Sequence, residues 1–101
     1  MTDKFEGFDP QTKALLIEVQ LGLDAEQFLA SQIGKAVVRR AQLIGHEAVA
    51  ALKEVDPHDA KKIMELQNMI RWADAFPDFI RDMVQIGRNA EEQIKLGDIN
   101  E

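Results

Sequence analysis

Residues 63–94 read IMELQNMIRWADAFPDFIRDMVQIGRNAEEQI, and the spacing of their apolar side chains decides the fold. Met69, Ala73, Phe76, Ile80, Met83, Gly87, Ala90 and Ile94 alternate steps of four and three residues, and Ile63, Leu66 and Ile70 lead into them. Steps of that kind keep one side of an α-helix apolar. Gln67, Arg71, Asp74, Asp78, Arg81, Gln85, Arg88, Glu92 and Lys95 follow the same steps and alternate in charge, as a water-facing helix side does. The two sides together predict one long helix, C, over about residues 58–96, stopped by Gly97. Pro77 opposes it: its missing N–H and its ring predict a kink, or a break after Ala75.

Upstream, Leu29, Ile33, Val37, Ala41, Ile44, Ala48, Ala51 and Val55 form a matching seam on a helix B. A second row, Ala30, Gly34, Ala41, Gly45 and Ala48, is small throughout. A glycine inside a helix costs about 0.5–1 kcal/mol relative to alanine, so this row predicts close approach of another helix. Its five residues are the candidates for an oligomer interface. Asp9-Pro10 and Asp56-Pro57 each place an N-cap before a proline suited to the first helical turn. Asp24 followed by Gln27 resembles a capping box, and Gly22 suits a helix C-terminus. These signals predict helix A over about 10–21 and helix B over about 25–55. The expected fold is all-α: a long antiparallel hairpin of B and C with a short N-terminal helix, in a single domain of residues 1–101. Helix A is too short to cover the hairpin, which predicts completion by another copy of the chain.

Composition narrows the chemistry. The 101 residues carry a net charge of −6 and no cysteine, which excludes disulfides, thiolate nucleophiles and Cys-based metal sites. No secretory signal and no stretch of about 18 apolar residues is expected, so the predicted location is the cytoplasm and no membrane is implied. The negative charge disfavours broad binding to nucleic acid. Ser31 is the only serine, and it lies about four helical turns from His46, too far for a nucleophile and its base. His46-Glu47 opens like a zinc metalloprotease helix, but position 50 is alanine, so the ligand count fails and no metal or cofactor is expected. His46 reads instead as a polar surface residue. His58 is expected in the first turn of helix C.

The charge is unevenly spread: residues 1–26 sum to −4, residues 27–46 to +3 and residues 47–101 to −5. Lys35, Arg39, Gln42 and His46 step by four, three and four, which puts them on one helix side. The plainer reading is that Lys35, Arg39 and Arg40 meet acidic side chains of helix A or of a neighbouring subunit. The sharper one is a site for a phosphate-bearing ligand, with Arg71 and Trp72 contributing a further cation and a stacking surface. Trp72 borders Ala73 and is expected in the core; an exposed Trp72 or Phe79 would instead mark an interaction hot spot.

Ala25-Glu26-Gln27-Phe28-Leu29-Ala30-Ser31-Gln32-Ile33-Gly34-Lys35, with Arg39-Arg40-Ala41 after it, resembles small helical proteins of tailed bacteriophages. Val55-Asp56-Pro57, Leu66-Gln67-Asn68 and Gly87-Arg88-Asn89-Ala90-Glu91-Glu92 extend the resemblance, which covers about residues 25–95. It implies a phage or prophage origin and carries over no catalytic residue. The expected function is non-enzymatic: protein–protein contacts in virion structure, assembly or host interaction, in the host cytoplasm or on the virion. The alternative is an oligomeric sponge or sensor for a phosphate-bearing small molecule such as a nucleotide signal.

Overall fold

The computed structural model describes residue 5 and residues 7–99. The described residues form three helices, α1 (Pro10–Ala30), α2 (Gln32–Glu54) and α3 (Ala60–Ile99), and no strand. The fold is all-helical, as the spacing predicts.

Each helix begins at a side chain that satisfies its free N–H groups. Asp9 caps α1: one carboxylate oxygen accepts the Thr12 N–H at 2.9 Å, the other accepts the Thr12 hydroxyl at 2.8 Å, and the Asp9 carbonyl accepts the Lys13 N–H at 2.9 Å. The α1–α2 boundary differs from the expectation. α1 continues through Gly22 to Ala30, with Asp24 inside it accepting the Gln20 amide at 3.0 Å. Ser31, extended at φ −73° and ψ 159°, then caps α2, its hydroxyl accepting the Gly34 N–H at 3.0 Å. Gly22 therefore stays helical, and among the described residues the left-handed conformation occurs only at Gly7. At the next boundary Asp56 shapes a turn, accepting the His58 N–H at 2.9 Å, and Asp59 is the cap of α3, accepting the Lys62 N–H at 3.0 Å. His58 thus precedes α3 instead of lying in its first turn. Pro77 sits buried within α3, which runs unbroken past it. A single lost hydrogen bond does not end a helix whose flanking turns are packed.

The described residues fall into two compact units, one made of residues up to Phe28 together with those from Ile80 on, the other of Leu29–Phe79. In the first, α1 crosses the second part of α3 at a pair of glycines. A methyl group on Gly22 would stand 2.8 Å from the Gly87 Cα and 3.1 Å from the Met83 carbonyl oxygen; one on Gly87 would stand 2.8 Å from the Gly22 Cα. Ala25 and Ala90 are buried in the same unit. In the second unit α2 and the first part of α3 form an antiparallel hairpin, joined by the short turn at Asp56–Asp59. Ala41, Ala48, Leu66 and Ala73 are buried there, and a methyl on Gly45 would stand 3.0 Å from the Ala73 Cβ. Of the small-residue row, Gly34, Ala41 and Ala48 of α2 are buried and Gly45 faces α3, while Ala30, the last residue of α1, is exposed.

Two measurements test these details. The Thr12 backbone bond foremost, and then the Thr12 hydroxyl, hold the Asp9 carboxyl below the ordinary aspartate range. Its contribution to stability is then present above the unfolded pKa of about 3.9 and lost as pH falls through the lower folded value. An NMR titration is expected to find Asp9 below ordinary aspartates; a value at or above them contradicts the cap. Gly87→Ala is expected to lower the unfolding free energy in urea by about 1–2 kcal/mol through overpacking, although helix propensity alone favours alanine by about 1 kcal/mol. Unchanged or increased stability contradicts the glycine crossing.

Candidate functional site

The interior is built mostly from small side chains, and many large ones face outward. Its buried hydrophobic residues are Ala25, Ala41, Ala48, Leu66, Ala73 and Ala90, and no large side chain is fully buried among the described residues. Phe8, Ile17, Leu21, Leu23, Ile33, Leu43, Val49, Met64, Met69, Trp72, Phe79, Ile86 and Leu96 are all exposed. Scattered exposed hydrophobic residues are ordinary; an ordered row of them is informative.

One such row lies on α3 within the second unit. Met69, Trp72, Phe76 and Phe79 step by three, four and three residues, so they share one helix side. Met69 is 44% exposed, Trp72 54% and Phe79 66%, with Phe76 half-buried between them. The Trp72 and Phe76 rings stack with centroids 5.8 Å apart and planes inclined by 21°. Trp72 is therefore not the core residue the sequence suggests. Ala73, one position on, takes the inward place because only a small side chain fits against Gly45.

The other side of the same hairpin carries an open groove of about 440 Å³, lined by Gln42, Gly45, His46 and Val49 of α2 and by Ile70, Ala73 and Asp74 of α3. Its floor is apolar and its rim polar. Lys35, Arg39, Gln42 and His46 follow one another along the groove side of α2, and all are exposed. Arg40 points away from that side, as does Trp72, while Arg71 is exposed on α3. The structure therefore keeps Lys35, Arg39 and His46 in one row and does not bring Arg40 or Trp72 into it.

The side chains of Lys35, Arg39, Arg40 and Arg71 make no hydrogen bond or ion pair with any described residue. The ion pair between α1 and α3 that is formed lies elsewhere, between Glu26 and Arg88 at 3.1 Å, and both partners are more than half exposed. Such a pair contributes at most about 1 kcal/mol. No group of three His, Cys, Asp or Glu side chains placed to hold a metal ion occurs among the described residues. No helix there is long and apolar enough to cross a membrane.

Comparison with known protein families, characterised proteins and solved structures finds no match.

If the basic row is unused within the chain, Lys35→Ala and Arg39→Ala should each change the unfolding free energy by less than about 0.5 kcal/mol. A chemical-denaturation loss above about 1 kcal/mol for either would reveal an internal partner and contradict this placement.

Proposed function

We propose that this chain is a non-enzymatic helical interaction protein that works as a homo-oligomer. The observation that carries the reading is the inversion of size between interior and surface. Alanines and glycines occupy the helix contacts, while Met69, Trp72 and Phe79 stand in a row in solvent. Burying a large apolar side chain is worth about 1.5–3 kcal/mol, so a chain that leaves these outside forgoes much of its available stabilisation until something covers them. Aromatic residues and methionine are the types enriched at protein interfaces, and tryptophan is enriched at their energetic centres. The three–four spacing of the row suits coiled-coil-like packing against further helices.

The resemblance of residues 25–95 to small helical proteins of tailed bacteriophages supports a setting in virion structure, assembly or host interaction, in the host cytoplasm or on the particle. A second reading, an oligomeric receptor for a phosphate-bearing small molecule, is favoured by one observation. Lys35, Arg39 and Arg40 have no partner among the described residues, and residues 27–46 contain no acidic side chain. Arginine offers paired donors to phosphate oxygens, and the groove beside Gln42 and His46 provides an apolar floor.

Size-exclusion chromatography with light scattering at micromolar concentrations tests the main reading. The expected mass is a multiple of 11.4 kDa; a stable monomer across that range contradicts it. A thermal-shift screen against nucleotides tests the second reading. Stabilisation that disappears in Arg39→Ala supports it, and a flat screen removes it.

A further inference from the structure

The Met69–Phe79 row can be matched to a particular occupant. We infer that a second copy of this chain packs antiparallel on this side of the α2–α3 hairpin, about a two-fold axis at the height of Asp74, and that Arg40 of each copy pairs with Glu47 of the other. The inference rests on the oligomeric reading above and adds to it a surface, an orientation and a pair of contacts.

The first support is the symmetry of the row. Met69 and Phe79 lie equally far on either side of Asp74, and so do Trp72 and Phe76. An antiparallel copy centred there sets Trp72 against Phe76 and Met69 against Phe79. These are aromatic–aromatic and sulfur–aromatic contacts, both favourable beyond the area they bury. A two-fold interface requires self-complementarity of this kind.

The second support is charge, and it comes from the other helix. The groove at Gln42, Gly45, Val49, Ile70 and Asp74 marks one side of the hairpin. At about 100° per residue, Arg40 and Glu47 project from α2 on the opposite side, the side that carries the α3 row. Both are exposed, and neither forms an ion pair with a described residue. They lie seven residues apart on one side of α2, too far to pair with each other. Their midpoint falls between Leu43 and Ile44. The close approach of Gly45 to Ala73 fixes the heights of the two helices of the hairpin, and it sets Ile44 level with Asp74. The centre of the charge pair and the centre of the apolar row therefore coincide to within about 1 Å at 1.5 Å rise per residue. One two-fold axis satisfies both, bringing Arg40 and Glu47 of facing copies together twice.

Charge reversal tests this directly. Arg40→Glu and Glu47→Arg, each alone, are expected to weaken self-association about tenfold or more in sedimentation equilibrium, because each creates two like-charge contacts. Mixing the two variants should restore association near the wild-type level, since all facing pairs are again opposite in sign. Circular dichroism checks that each variant keeps its helix content; both positions are exposed, so folding is expected to be unchanged. A wild-type oligomer that neither variant weakens overturns the inference and leaves the oligomeric reading standing. Variants that weaken association but fail to rescue each other overturn the pairing. A wild-type monomer overturns both the inference and the reading beneath it.

Discussion

The distance between helix backbones governs everything else in this protein. At Gly22 and Gly87 the approach is so close that a single methyl on either would collide with the backbone of the other, and at Gly45 the nearest obstacle is the Ala73 Cβ. At those crossing points there is no room for a leucine or phenylalanine between the helices. Alanines make up most of the buried apolar residues, with Leu66 beside them, and many of the larger apolar side chains are turned outward. A core of methyl groups contributes less hydrophobic stabilisation per residue than one of leucines, since the effect follows the apolar area removed from water. In small-residue packing of this kind, dispersion between closely spaced backbones takes over part of that role.

The consequences reach the surface in two ways. On α3 the outward side chains fall in a regular row instead of being scattered, because the heptad-like spacing that sets Leu66, Ile70 and Ala73 toward α2 also fixes the neighbouring line through Met69, Trp72, Phe76 and Phe79. On α2 the charges are left available: Lys35, Arg39 and Arg40 have no partner among the described residues, and neither has Glu47. A hairpin with an apolar row on one helix and unpaired opposite charges on the other presents both shape and polarity to a partner.

Much of the architecture was legible in the sequence. The all-helical class followed from apolar spacing and helix-end residues; the last helix, expected over 58–96, is α3 at Ala60–Ile99. Two helix starts were displaced by competition between nearby caps. Asp24 had the pattern of a cap, but a continuous α1 already satisfied its N–H groups, and Ser31 took the role. Asp56 was used to shape the turn, leaving Asp59 to cap α3. The outward row was the feature that spacing alone concealed. Counting apolar positions merged Met69, Ala73, Phe76 and Ile80 into one seam, whereas the structure sorts them by size, alanine inward and methionine outward. Spacing reports which residues share a side; how closely two helices approach decides which of them fit between.

Trp72 is the only tryptophan in the chain, and it stands 54% exposed in the middle of the row. Acrylamide quenching of its fluorescence over a dilution series therefore reports directly on whether that row is covered. The account predicts protection at micromolar concentration that gives way to strong quenching as the protein is diluted to monomer. Strong quenching at every concentration, independent of dilution, would contradict it.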